Sequence, residues 1–415
     1  MIILRGIGTS PYTGVGRVKK IKNKKDLLQL EGGEIVVLSR AARDMLSHLQ
    51  RAGGVVTDYG GLTSHVAIVL REMKVACVVG TEIGSQLLQE GSLVTVDGNT
   101  GNIYRGFVEM EQKDGLMEIH RPATGVKVNL NIPEIAEKVA PLSDGVGSIR
   151  IENLIIHTGM HPQKLLKQNK LDKVIADGVR IIADAFYPKS VYFRTFDIPT
   201  DEIRSLDGGK VEPYEHNPLL GLRGIQKDLQ NRDILESEFR ALSRLLDEGY
   251  DNLGIKIPFL RDVSEYRSVK LIMEEIGLRP HQDVPLGVAL ETPSSFLSFD
   301  QLLTEGLDFV TLGLSDLTMC TLAVDRRGVK VARHFDLLHP AVWKMLQMVI
   351  EKCSHHGLES CICGHAASNP DIVRMLIDMG ISSISTNPDQ ILKMRKVVSI
   401  AEDAVLARYF RPKSI

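Results

Sequence analysis

The sequence predicts an α/β protein in which a small strand-rich domain precedes a (β/α)₈ barrel. Three observations predict it. From residue 126 onward, strand-like runs alternate with amphipathic helical stretches. There are about eight such runs, the number a closed barrel needs, whereas the alternative, a doubly wound open sheet, usually needs fewer. Polar residues also gather at the ends of those runs, where a barrel places its active site.

Residues 1–108 are rich in Gly and in short β-branched runs such as EIVVLS, GGVVTD, VACVVG and SLVTVDG. SHVAIVLREM is their clearest helix, so this part reads as strands with a few helices. Residues 109–125, EMEQKDGLMEIHRPATG, are polar, contain Gly and Pro, and show no clean period. They are expected to link the two domains. The barrel then occupies 126–415. Its strands are VKVNLN, GVGSIRI, SVYFRTFD, LGIKIPF, PLGVALE, DFVTLGL, ESCICG and SSISTN, and HPAVWKMLQMVIEKCSHHG is typical of the helices between them.

Composition narrows the function. Apolar residues make up 43% and charged residues 25%, with a net charge of -2 and no basic stripe, which argues against nucleic acid as a partner. No apolar run approaches the length of a membrane span, and the N-terminal MIILRGIGTS is too short for a signal peptide. Five irregularly spaced cysteines do not form a disulfide framework, so a reduced, cytoplasmic protein is expected.

The strand ends carry the candidate chemistry. Arg150 and Glu152 lie at the end of the second run, Arg194 and Asp197 at the end of the third, and Glu291 at the end of the fifth. Ser315 and Asp316 lie at the end of the sixth, Cys363 and His365 at that of the seventh, and Asn387 at that of the eighth. A long loop after the third run, DGGKVEPYEHNPLLGLRG, adds Arg223. Arginine forks match phosphate and carboxylate oxygens, and two carboxylates beside them suit a hard cation such as Mg²⁺. The expected ligand is a small, doubly anionic phospho-compound. Singly, each of these residues reads as a solvated strand end; together they read as a site. Cys361 and Cys363 share a strand face but lack further ligands at metal spacing. Trp343, Met345, Met348 and Ile350 read as core.

FRTFDIPTDEIRSLDGG, EHNPLLGLRGI, ALETPSS, DLTMCTLAVDR and NPDQI, in this order, resemble the phosphoenolpyruvate-utilising enzymes, with the synthases nearest. The resemblance spans nearly all of residues 1–400. It implies that GGLTSHVAI is the phosphohistidine motif of a swivelling domain, with His65 as the phosphoryl carrier. An imidazole suits that role because it is nucleophilic near neutral pH, and Gly60, Gly61, Thr63 and Ser64 would receive the phosphate. The resemblance further implies that Arg150, Arg194 and Arg223 hold phosphoenolpyruvate or pyruvate. Glu291 and Asp316 would bind Mg²⁺, and Cys363 would protonate the enolate carbon. Arg326 is expected to guard the mouth or pair locally. A homo-oligomer is expected by analogy.

Two departures from the family pattern bear on function. The family's synthases carry an ATP-grasp domain ahead of the swivelling domain, and no such segment is visible here. A separate nucleotide-binding subunit or phospho-acceptor protein is therefore expected to complete the cycle. The second departure lies in the site wall: Leu314, Ser315, Met319 and His365 replace the usual residues, with Leu222 and Ser148 as lesser changes. Retained but altered chemistry is the expectation. The alternatives are a non-catalytic relative that senses phosphoenolpyruvate or pyruvate, and an enzyme for a different enol-phosphate or 2-oxo acid.

Overall fold

The β-branched runs at the start of the chain pair into one eight-stranded sheet. Its strands are β1 (Ile2–Arg5), β2 (Ile7–Gly8), β3 (Thr13–Lys20), β4 (Ile35–Leu38), β5 (Gly54–Thr57), β6 (Ala76–Val79), β7 (Leu93–Asp97) and β8 (Asn102–Arg105). Their order is β1-β8-β7-β3-β4-β5-β6-β2, with β3 to β6 parallel and the flanking pairs antiparallel. Strands β4, β5 and β6 are buried throughout, which explains why they read as unbroken runs rather than as alternation. Val18, Ile35, Val37, Val56, Val78, Val94 and Val96 form the core of this sheet.

The chain leaves β5 through a turn fixed by Asp58. That carboxylate accepts Ser85 N–H at 2.9 Å and the Thr81 hydroxyl at 3.2 Å, and it also pairs with the Ser85 hydroxyl. Gly60 follows with φ of +151°. The computed structural model describes residues 2–10, 12–21, 24–40, 45–60, 69–71, 73–108, 122–328 and 330–409. Gly61, Thr63, Ser64 and His65 lie outside the described residues. Of the helix expected in SHVAIVLREM, described residues 69–71 are helical. Residues 109–121 of the expected linker also lie outside. Contacts divide the chain into two units, Met1–Glu118 and Ile119–Ile415.

In the second unit all eight expected runs form strands. They are β9 (Gly125–Leu130), β10 (Val146–Arg150), β11 (Val191–Arg194), β12 (Leu253–Ile257), β13 (Leu286–Leu290), β14 (Phe309–Leu312), β15 (Glu359–Cys363) and β16 (Ser383–Thr386). Each pairs in parallel with its neighbours and β16 returns to β9, which closes the barrel. The helices between them carry the matching apolar stripes. Pro340–His356 is one: His339 accepts from Ala341 N–H at its start, and Gly357, with φ of +64°, ends it. Among the described residues, no helix is long and apolar enough to cross a membrane.

Alternation along the barrel strands separates two environments. Val126 and Val128, Val191 and Phe193, Ile255 and Ile257, Val288 and Leu290, and Ile362 and Ile384 belong to the core shared with the helices. The residues between them face the lumen, and many are polar. Lys127 of β9 reaches Glu359 of β15 at 2.6 Å, and the Tyr192 hydroxyl of β11 donates to the same carboxylate at 2.7 Å. Lys256 of β12 donates to the Gly147 carbonyl of β10 at 2.8 Å. Lumen contacts of this kind join strands that are not neighbours in the barrel.

An aromatic pair plugs the lower lumen. Tyr192 and Phe309 stack with ring centroids 3.8 Å apart and planes 4° from parallel. They fit because β12 and β13 carry glycine beside them. A Cβ at Gly254 would sit 3.0 Å from the Tyr192 ring, and one at Gly287 would sit 2.4 Å from the Phe309 carbonyl oxygen. The second clash is with backbone, which has no rotamer to yield. Gly287→Ala is therefore expected to lower unfolding stability by about 1–3 kcal/mol, the usual cost of overpacking a core. Denaturant unfolding of the variant beside the parent checks this, and an unchanged midpoint would contradict the packing described.

Candidate active site

The strand ends of the barrel bring a charged cluster together at one mouth. Arg194 is the last residue of β11, and its guanidinium donates to Glu152 at 2.6 Å and to Asp197 at 3.2 Å. Glu152 also accepts the Asp197 N–H at 2.8 Å, so this carboxylate fixes both the arginine and the turn that follows it. Arg223 arrives from the long loop after β11. Its Nε and Nη2 grip the two oxygens of Asp197 at 2.8 and 2.7 Å, and its Nη1 reaches Asp316 at 3.2 Å. Arg326 meets the same Asp316 oxygen at 3.4 Å, which is the local pairing expected of it.

These pairs set the protonation of the site. Burial opposes charge on Asp197, but Arg223 and Arg194 outweigh it and hold the carboxyl well below its ordinary value. Asp316 behaves likewise: burial raises its pKa, and Arg326 and Arg223 bring the net shift below normal. Glu291 differs. Burial, then the charges of Asp316 and Asp197, push its pKa up to about 7 against the pull of Arg194 and Arg223. Arg150, the last residue of β10, is half-buried, and its side chain has no hydrogen bond or ion pair to any described residue. That leaves its guanidinium available to a ligand.

Glu291 follows β13 and is held by backbone. One oxygen accepts the Phe259 N–H at 2.8 Å. Phe259 can present that N–H because it adopts φ of +51°, a left-handed conformation that is costly for an aromatic residue. Its ring also lies under Arg223, with the guanidinium carbon 4.2 Å from the ring centroid. Gly313 permits the carboxylate's other side to pack closely, since a Cβ there would come within 2.4 Å of the Glu291 side chain. Glu291 and Asp316 each keep one oxygen without a hydrogen bond to a described residue. Two neighbouring carboxyl groups with such oxygens fit a hard divalent cation that takes its remaining ligands from substrate and water. Among the described residues, no group of three or more His, Cys, Asp or Glu is arranged to hold a metal without such help.

Cys363 ends β15, half-buried, with its thiol 3.7 Å from the Leu312 carbonyl. Burial raises its pKa and Lys256 works against that rise. Ser315 is half-buried in the first turn of the helix Leu314–Leu322, beside Asp316. His365 opens the short turn His365–Ser368 after β15 and is also half-buried. Thus Arg194, Arg223, Asp316 and Glu291 are joined directly or through Asp197 and Phe259. Arg150, Cys363, Ser315 and His365 stand at neighbouring strand ends. Sequence reasoning left three residues without a role: Glu152 and Asp197, seen only as strand ends, and Lys256. The signal for Lys256 was a charge in the middle of LGIKIPF. Nothing in the sequence marks the backbone of Phe259.

Comparison with known proteins places this geometry. Residues 109–402 match the PEP-binding domain of PEP-utilising enzymes, and residues 30–101 match their mobile domain. The phosphoenolpyruvate synthase of Pyrococcus furiosus is 41% identical over 417 residues, covering 97% of this chain and 51% of the relative. A probable phosphoenolpyruvate synthase of Archaeoglobus fulgidus is 41% identical over 418 residues, covering 99% of this chain and 55% of the relative. The phosphoenolpyruvate synthase of Aeropyrum pernix is 33% identical over 438 residues, covering 98% and 53%. The chain thus spans about half the length of the curated relatives it matches. With both the mobile and the PEP-binding domains matched and such identity over nearly its whole length, this chain belongs to the family of phosphoenolpyruvate-utilising enzymes.

Proposed function

We propose that this chain carries the phosphoenolpyruvate half-reaction of a synthase: reversible phosphoryl transfer between phosphoenolpyruvate and His65. In this reading residues 1–108 are the swivelling domain, 109–125 the linker and 126–415 the substrate barrel. The observation that carries it is the convergence of Arg194, Arg223, Asp316 and Glu291 at one mouth, with Arg150 and Cys363 at strand ends of the same barrel. A nucleotide-binding subunit or phospho-acceptor protein would load or unload His65.

The residues divide the work by charge. Arg150, whose side chain has no partner among the described residues, takes an anionic group of the substrate, and Arg194 and Arg223 present guanidinium already oriented by Glu152 and Asp197. Such fixed donors stabilise charge that develops on a transferring phosphoryl group without reorganising. Ser315 and His365 would complete the wall around the ligand. Glu291 and Asp316 would hold Mg²⁺, whose charge would be shared with the substrate's oxygens. As the phosphoryl group passes from the enol oxygen to the His65 imidazole, the P–O bond breaks, a P–N bond forms and the enolate of pyruvate is left. Cys363 donates its proton to the enolate carbon: the S–H bond breaks, the enolate's electron pair forms the C–H bond, and the S–H pair stays on sulfur as thiolate. In the reverse direction the thiolate removes that proton.

Incubation with labelled phosphoenolpyruvate and Mg²⁺ is expected to give acid-labile label on the parent and none on His65→Ala. No label on the parent, or equal label on both, rejects the reading. Cys363→Ser is expected to bind phosphoenolpyruvate as the parent does in calorimetry. Pyruvate formation by that variant should fall by about 10²–10⁴-fold, the usual contribution of a positioned general acid. Loss of binding together with turnover would remove Cys363 from the acid role.

A further inference from the structure

Lys256 is a buried cation with an unusual set of neighbours. Only about 1% of it is exposed, and its Nζ spans the lumen from β12 to the Gly147 carbonyl on β10, its single hydrogen bond among the described residues. Among the described residues, no carboxylate pairs with it. Burial lowers the Lys256 pKa; of the charges, the thiols of Cys363 and Cys361 on β15 do most to keep it protonated, ahead of the opposing Arg194 and of Glu291. β15 lies three strands round the barrel from β12, and because Ile255, Ile257 and Ile362 face the helices, Lys256, Cys361 and Cys363 all point into the same lumen. The other lumen ammonium, Lys127, is neutralised directly by Glu359 at 2.6 Å. Burying an ammonium with one carbonyl acceptor and no counter-ion is expensive, so this position costs stability that an apolar residue would not.

We propose that Lys256 is a positioning residue for Cys363: held across the lumen on Gly147, its ammonium stabilises the thiolate that remains when Cys363 gives up its proton. The consequence for catalysis rests on Cys363 being the acid of the proposed reaction, but the effect on the thiol does not. Several groups face Cys363. β12 contributes Lys256, β10 contributes Arg150, β11 contributes Arg194, the turn after β13 contributes Glu291, and β14 contributes the Leu312 carbonyl. Burial raises the thiol's pKa; of the charges, Lys256 opposes that most, with Arg150 and Arg194 behind it and Glu291 acting the other way. Cys363 and Lys256 have hydrogen bonds to Leu312 and Gly147 respectively, and neither bonds to Glu291 or Asp316. Cys361, buried a step below Cys363, has its thiol pushed up to about 12 and stays protonated.

The test is the pH profile of iodoacetamide modification at Cys363, read by peptide mass mapping on the full chain without phosphoenolpyruvate. Cys361 serves as the buried, unreactive control. Lys256→Met keeps the volume and removes the charge, so its melting temperature should equal or exceed that of the parent. The inflection of its profile should move up by about one pH unit, which makes modification about tenfold slower on the acid side. Lys256→Arg, which keeps the charge, should stay near the parent profile. Lys256→Gln gives the same reading should the Met variant fail to fold. A charge-free variant with native circular dichroism and an unshifted profile overturns the proposal. So does an equal shift in Lys256→Arg, since that would mean packing rather than charge. The experiment reads the thiol alone: a failure to label His65 would sink the proposed reaction and leave this result standing.

Discussion

The grip of Arg223 on Asp197 is the constraint on which the mouth depends. Asp197 is buried, and its two oxygens are met by the Nε and Nη2 of one guanidinium at 2.8 and 2.7 Å. That fork anchors a long surface loop to the end of β11 and leaves Nη1 to reach Asp316 at the end of β14. One side chain therefore fixes three segments of the barrel rim relative to one another. A lysine would not reproduce this, because an ammonium is a point charge without a planar fork. Such a pair adds little to stability against a well-packed apolar substitute, while removing either partner leaves a buried charge that costs several kcal/mol. Its value lies in geometry, since a preoriented cation is what a transferring phosphoryl group requires.

The barrel supports this at a price in stability. Its outer shell is mainly apolar, and the core shared with the helices runs through every strand from Val126 to Ile384. The lumen is different. At its base Lys127, Glu359, Tyr192 and Ser383 satisfy one another, and the Tyr192–Phe309 stack closes the column. Toward the mouth satisfaction declines: Lys256 has one acceptor, Arg150 has none among the described residues, and the Glu291 carboxyl is pushed up to about 7. Unsatisfied charge concentrated at one end of an otherwise balanced interior is the signature of a site built to receive something.

The fold was legible because the barrel strands obey a simple rule. Apolar residues face the helices on every strand, so runs such as PLGVALE and SSISTN stand out even where the lumen side is polar. The arginines and carboxylates were legible for a related reason: barrel chemistry collects where strands end, and Arg150, Arg194, Glu291 and Cys363 each stand at or just past such an end. Lys256 escaped because it lies inside a strand, where a lone charge is readily absorbed into the alternation. Glu152 and Asp197 were visible as residues but not as partners, since hydrogen bonds across a barrel leave no periodic trace. Phe259 left no signal at all: its contribution is a backbone conformation, and phenylalanine is not the residue that conformation favours. His65 is singled out only by the GGLTSHVAI motif and its resemblance; no periodicity distinguishes it from a structural histidine, and it lies outside the described residues.

Placement of the altered wall residues bears on whether the chemistry has been lost. Leu314 is fully buried in the barrel core, so it packs and does not face the ligand. Met319 is buried in a separate small cluster with Leu219 and Phe259. Phe259 is the residue whose ring lies under Arg223 and whose N–H holds Glu291. Met319 therefore backs the scaffold of the site, where an apolar, adaptable side chain suits the task better than an amide left without a partner. Two of the four departures are thus matters of packing. Ser315 and His365 are half-buried at the strand ends. What the departures leave in place is geometry: Arg223 holds Asp197 and reaches Asp316, and Phe259 beneath it holds Glu291.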